Sequence, residues 1–256
     1  MNKIKAFSKR NRKELLRDPL SYIFCLAFPI VMLIIMTIVN SSIPKESGMT
    51  IFRIDNLSAG VAVFGQTFVM LFTAITVSTD RTSSFLVRMY ATPMTSNDFS
   101  MGYILPMFVI SMVQSIIIYI ASIVISVVTD YSLNIGGLLI SLLALIPSSV
   151  MFICFGFLFG TLFNEKSAPG ICSIIISLGS FLGSIWFDAD GSGGTMLKIC
   201  KALPFYYCTK SARSAIKLDF GMNVFWIPII IVFAFTIILG IISNAAFKSK
   251  MKADLA

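Results

Sequence analysis

Few residues in this chain are equipped for chemistry. Histidine is absent from all 256 positions, which removes the side chain most used for metal ligation and general-base work near neutral pH. Asp188 and Asp190 are the most closely spaced carboxylates, yet they sit in a glycine-rich stretch with no companion acid or metal ligand nearby. No Gly-x-x-x-x-Gly-Lys-Ser/Thr run occurs to cradle a phosphate. Catalysis and a bound cofactor are therefore not expected in this chain. Of the five cysteines, Cys25, Cys154 and Cys172 lie in apolar runs, where Cys acts as a small hydrophobe. Cys200 and Cys208 share a later polar segment, where an oxidising exterior would allow a disulfide and a reducing one would leave two thiols.

What remains is polar but neutral, and it lies inside apolar runs. Gln66 and Gln114 are amides that lipid would not tolerate cheaply. Ser111, Ser115, Ser122 and Ser126 share one helical face, and Ser173, Ser177, Ser180 and Ser184 repeat the device. Two readings stay open. Such stripes line a substrate path, for which Gln66, Gln114, Ser173, Ser177, Ser180 and Ser184 are the candidates, or they join helices by hydrogen bonds.

The elements that position these residues follow from charge spacing. The chain is 57% hydrophobic and 12% charged, against roughly 45–50% and about 25% in soluble domains. Six charge-free runs, 19–44, 56–79, 99–129, 131–164, 167–187 and 220–247, separate the charges, and each exceeds the roughly 18 residues that mark a spanning helix. Runs such as 28–39 and 224–242 are apolar on all sides, unlike the alternating strands of a membrane barrel. The expected fold is an all-α integral membrane protein with six transmembrane helices near 20–40, 58–78, 102–128, 135–163, 168–187 and 223–246. Residues 3–17 are too long and mixed for a signal peptide, so the first run is expected to be retained.

With six spans both termini share a side. That side collects the N-terminal Lys and Arg cluster, Arg81, Arg88, Lys166, Lys248, Lys250 and Lys252. The other holds Lys45, Arg53, Lys198, Lys201, Lys210, Arg213 and Lys217, so the positive-inside rule makes both termini cytoplasmic. The net charge of +8 reflects this rule and attraction to membrane lipids; no nucleic-acid partner is implied. Residues 1–18, with Ile4, Phe7, Leu15 and Leu16 near one face, read as an interfacial amphipathic helix or, failing that, a solvated basic tail. Pro29 should kink the first span, and Pro147 should kink or break the fourth. Gly156 with Gly160, and Gly179 with Gly183, allow close helix approach. The loop 187–219 reads as two short extracellular half-helices broken at Pro204 or, failing that, a plain solvated loop, and 248–256 as a basic cytoplasmic tail.

None of the six runs holds an ionisable group, so proton- or sodium-coupled transport lacks its usual machinery. Energy must then enter through a cytoplasmic surface, and 80–98 is the only loop long enough. It reads Asp80-Arg-Thr-Ser-Ser-Phe-Leu-Val-Arg-Met-Tyr-Ala-Thr-Pro-Met94. This resembles the segment D/E-R-E-x-G-T-L-E-R-L-L-A-T-P of ABC-2 type permeases, with Asp80, Arg81, Leu86, Arg88, Ala91, Thr92 and Pro93 matching in register. Thr82, Ser84 and Val87 depart from it, replacing Glu, Gly and Glu. Gly156-Phe-Leu-Phe-Gly-Thr-Leu-Phe163, the small-residue fifth run and Leu203-Pro-Phe-Tyr206 look like the family's C-terminal half.

The resemblance implies the transmembrane subunit of a bacterial exporter in the plasma membrane. On that reading the 80–98 loop is a coupling helix, the N-terminal helix an elbow and the outer half-helices re-entrant. The implied partners are two copies of an ABC-type nucleotide-binding ATPase subunit, which hold ATP and magnesium, and a second permease, identical or paralogous. With two loop acids replaced, Arg81 and Arg88 are expected to face acids on the ATPase. The apolar interior suits an amphiphilic drug, antimicrobial peptide or lipid-like cargo. A secondary transporter or channel, or a non-transporting immunity or scaffold protein, is the alternative.

Overall fold

A computed structural model describes residues 2–44, 48–83 and 85–253. These residues form helices and no strand. In chain order the helices are α1 (Asn2–Leu15), α2 (Pro19–Ser42), α3 (Ile54–Thr82), α4 (Phe85–Tyr90), α5 (Ser96–Val128), α6 (Ile135–Leu162) and α7 (Ala168–Leu182). After them come α8 (Ala189–Ser192), α9 (Gly194–Ala202), α10 (Pro204–Ile216) and α11 (Met222–Ala253). Helix starts are written locally. Asp18 caps α2 ahead of Pro19, Thr95 and Asp98 form a reciprocal capping box on α5, and Asn134 caps α6.

Five helices, α2, α3, α5, α6 and α11, are long and apolar enough to cross a membrane. The segment 168–187 behaves differently. Its helix α7 has 15 residues, about 22 Å at 1.5 Å per residue, shorter than a hydrocarbon core of about 30 Å. It stops at Gly183 because Ser184 takes a left-handed φ of 56°. The Ser184 hydroxyl donates to Phe187 O and accepts from Ala189 N, converting the end of the run into a turn.

The prolines act in two ways. Wide π-helical turns at Ile23–Ala27 and Met222–Trp226 precede Pro29 and Pro228, making room for rings that would otherwise strike the preceding turn. Pro147 leaves α6 continuous instead. Gln66 Nε2 and Ser148 Oγ donate to Leu145 O, and Thr236 Oγ1 donates to Pro147 O at 2.9 Å. Neighbouring helices thus serve the carbonyls around the proline, as buried membrane helices require.

Helix α3 is the axis of the bundle and is buried along nearly its whole length. Helix α6 packs along it and also meets α10 and α11, while α5 closes another side. The α3–α6 contact runs through Gly156 and Gly160. A Cβ at Gly156 would lie 2.2 Å from Met70 O, and one at Gly160 2.6 Å from Ala74 O. The pair Gly179 and Gly183 does not repeat this: Gly179 meets the Phe205 ring at ordinary distance, and a Cβ at Gly183 would strike the Gly179 carbonyl of its own helix and reach Phe205 at 3.5 Å.

Candidate functional site

The segment that resembles a coupling loop is more helical than a loop. Helix α3 runs on through Asp80 and Arg81 to Thr82, and α5 begins at Ser96, so the connection narrows to 83–95 around the short α4. Ser84 lies outside the described residues. The cause at the far end is the Thr95–Asp98 capping box; at the near end, Asp80 and Arg81 both find partners that keep the last turn wound.

Asp80 is 4% exposed. Its carboxylate accepts from Arg10 Nη1 at 2.5 Å and Nη2 at 2.8 Å, and from the Tyr103 hydroxyl at 2.7 Å. Arg10 also reaches Glu14 at 2.6 Å and lies 4.1 Å from the centre of the Phe85 ring. Burial alone would lower the Arg10 guanidinium, but the hydrogen bond and charge of Asp80, aided by Glu14, raise it above its ordinary value. Around this pair the Phe7 ring packs on Phe85, Phe99 and Tyr103. Asn11 Nδ2 donates to Gly102 O at 3.0 Å, and Lys3 Nζ to Pro93 O at 2.7 Å. Four elements, α1, the end of α3, α4 and the start of α5, are one mechanical unit.

Helix α1 owes its place to the stripe Phe7, Asn11 and Leu15, all buried. That four-residue spacing puts them on one face, which lies against α5. Leu16 falls beyond the helix end and is exposed. The matched residues then divide. Asp80 and Leu86 point inward, Arg81 and Thr92 are half-buried, and Arg88, Ala91 and Pro93 are exposed together with Val87. Arg81 Nη1 donates to Gly160 O and Thr161 O at the end of α6, and Thr82 Oγ1 to Glu165 at 3.1 Å. Helix α4 is thus a ridge between two grooves. One, of 410 Å³, lies toward α1 and contains Phe7, Met89 and Met94; the other, of 400 Å³, lies toward α6 and contains Arg81, Val87 and Phe163.

The candidate path residues do not all meet. Gln66 and Gln114 are fully buried. Gln66 accepts from Ser148 Oγ at 2.7 Å, and Ser111 bonds Ser149 between α5 and α6. Gln114 presses on Gly65, where any Cβ would collide with its amide, and neither amide atom has a hydrogen-bond partner among the described residues. Ser173 and Ser177 face outward on α7 beside exposed Ile174, Leu178 and Phe181, whereas Ser180 and Ser184 are buried. Ser173 and Ser180 bond carbonyls of their own helix. At the opposite end of α3 from α4, Asp188, Asp190, Asp219, Lys210, Arg213 and Lys217 line one cleft beside α10, and Cys200 and Cys208 are separate, buried thiols.

Sequence reasoning passed over Arg10, Asn11 and Tyr103. Arg10 is one of six basic residues in α1's polar composition, and nothing in the chain's spacing singles it out. The available signal was Asp80 itself, an acid at the edge of a long apolar run that needs a cation.

A bundle of long apolar helices, carrying a braced helical ridge at one end, defines a multi-pass membrane protein. The sequence model of the ABC-2 type transporter family matches residues 2–217, and this chain belongs to that family, as a membrane component rather than a catalytic one. No curated protein matches the chain.

Proposed function

We propose that this chain is the permease subunit of an ATP-binding cassette exporter, moving an amphiphilic drug, antimicrobial peptide or lipid-like molecule outward. Six membrane crossings, with α7 and the turn after it as the fifth, put both termini and α4 in the cytoplasm. In this arrangement α1 is the elbow helix and α9–α10 are the outer half-helices. Two ATPase subunits holding ATP and magnesium, and a second permease, identical or paralogous, complete the assembly in a bacterial plasma membrane.

The observation that carries the reading is the division of labour in α4. Its inward residues Phe85 and Leu86 are locked onto α1 and α5, while Val87, Arg88, Ala91 and Pro93 are left exposed on the same short segment. A push on the exposed side therefore reaches α1 through the Arg10 contacts, α3 through Asp80 and α6 through Arg81. Closure of the ATPase dimer would supply that push. The lack of acids at 82 and 87 leaves Arg88 as the charged group free to meet a carboxylate on the ATPase. Gln66, Gln114, Ser180 and Ser184 remain candidates for the path together with the outward-facing Ser173 and Ser177, which a second permease would cover.

Affinity purification of the chain from its native membrane in mild detergent tests the assembly: a soluble-type ATPase should co-purify in stoichiometric amount and hydrolyse ATP. Arg88→Glu should abolish cargo-dependent export while the chain's own melting temperature stays unchanged. Export at the parental rate in Arg88→Glu would remove that residue from the contact. Transport that survives ATP depletion with an ion gradient intact would favour a secondary transporter.

A further inference from the structure

At the end of the bundle opposite α4, a cleft of 280 Å³ opens between α10 and the start of α3. Lys210, Arg213 and Lys217 line it from α10 and its C-terminus, facing Asp188, Asp190 and Asp219. The carboxylates already have work. Asp188 and Asp219 each accept a backbone N–H, from Gly191 and Gly221, and Asp190 accepts from the Tyr206 hydroxyl at 2.5 Å and pairs with Lys210. Nearby Asp55 is held by Arg53 at 2.7 and 2.8 Å.

Two cations are left over. The Arg213 guanidinium donates to the carbonyls of Asn56 at 3.0 Å and Ile185 at 3.5 Å, and among the described residues no carboxylate lies within ion-pair distance of it or of Lys217. Burial pulls Arg213 down to about 10, against the raising fields of Asp188, Asp55 and Asp190. Burial also lowers Lys217, against the raising field of Asp55, with Arg53 and Arg213 adding like-charge repulsion. Arg213 and Lys217, one helical turn apart at the cleft, make no ion pair among the described residues, so an anion seated between them would gain two cationic donors at one point.

The neighbouring surface says which anion. The segment 219–225 borders this cleft through Asp219 and Val224, and it borders an apolar groove of 460 Å³ through Phe220 and Phe225, completed by Leu143, Pro147 and Trp226. A polar cleft too small for a whole drug-sized ligand, for which pockets run roughly 300–1,000 Å³, thus adjoins a groove suited to a hydrocarbon chain. The planar fork of Arg with a Lys beside it is matched to a phosphate.

We propose that Arg213 and Lys217 bind the phosphate of an anionic lipid or lipid-like headgroup, whose acyl chain lies along Phe220, Phe225 and Trp226. The site belongs to this chain alone, so its test needs no ATPase, and its failure would leave the permease reading standing.

The purified chain in dodecyl maltoside is heated with increasing dioctanoyl phosphatidylglycerol, and the melting temperature is followed by helical circular dichroism. Dioctanoylglycerol, which lacks the phosphate, and sodium phosphate at matched ionic strength serve as the other two probes. The phospholipid should raise the melting temperature and the other two should not. Lys217 is exposed, so Lys217→Glu should fold, and measured from its own lipid-free melting temperature it should need at least about tenfold more phospholipid for the same shift, the value of one lost charge-assisted hydrogen bond. Lys13→Glu, an exposed charge on α1, should respond as the parent does. An equal shift with dioctanoylglycerol, an equal shift with inorganic phosphate, or identical responses of Lys217→Glu and Lys13→Glu would each overturn the assignment.

Discussion

Removing the Asp80 carboxylate tests whether α1 is held to the bundle by the buried ion pair. In Asp80→Ala, the Tyr103 hydroxyl loses the carboxylate it donates to and is left fully buried, which costs about 1–3 kcal/mol. Arg10 loses two charge-assisted bonds. Breaking a fully buried pair costs about 3–5 kcal/mol, but the Arg10 side chain is 30% exposed and recovers hydration, so the lower end applies. The combined loss is about 3–4 kcal/mol, and it falls on the contact of α1 with α3 and α5. A loss of about 3 kcal/mol raises the population of detached α1 roughly 100-fold, since each 1.4 kcal/mol is a factor of ten. Trypsin reads this directly, because Lys9, Arg10, Arg12 and Lys13 lie in that helix. Cleavage there should accelerate by about that factor when opening is fast relative to cutting. Asp80→Asn keeps an acceptor for Tyr103 and should show a smaller acceleration, while Asp80→Ala in an Arg10→Gln background should add less than it does alone. Trypsin cutting α1 at the parental rate in Asp80→Ala, with unchanged melting, would refute the bracing role of the pair.

Three other measurements bear on the bundle. Gly156→Ala should lower the melting temperature relative to Gly170→Ala. Both gain about 1 kcal/mol of helix propensity, which cancels between them, but only Gly156 sets a Cβ against the Met70 carbonyl, with Gly170 in open space, so a stability gap of about 1–3 kcal/mol is expected from overpacking; equal stabilities would sink the close-approach reading. Gln114→Leu, which removes an unpartnered buried amide at similar volume, should stabilise the chain by about 1–3 kcal/mol, and a drop in melting temperature would show that the amide has a partner. Cys200 and Cys208 should resist an added maleimide at pH 8, because burial raises both thiols above their ordinary value and keeps the thiolate scarce; alkylation should become rapid only on unfolding, and fast labelling of the folded protein would contradict their burial.

The charge-free runs and the capping residues are one-dimensional facts. They determined an all-helical, membrane-embedded chain, because a bilayer excludes unpaired charge and unbonded backbone whatever the packing. Gly156 and Gly160 were legible for the same reason: only small residues let helices touch. Distances between segments are not written in that way. The serines of α7 share a helical face by spacing, yet Ser173 and Ser177 face outward while Ser180 is buried, since the face a helix buries is chosen by its neighbours. The run 167–187 reads as long enough to span, but the turn at Ser184 depends on bonds to Phe187 and Ala189 that form only when the chain folds back. Asp80 and Arg10 lie 70 residues apart, and Arg213 meets Asn56 across 157. Such pairings are made by the tertiary structure alone, because any of several cations could satisfy an acid until α1 is laid against α5 by Phe7, Asn11 and Leu15.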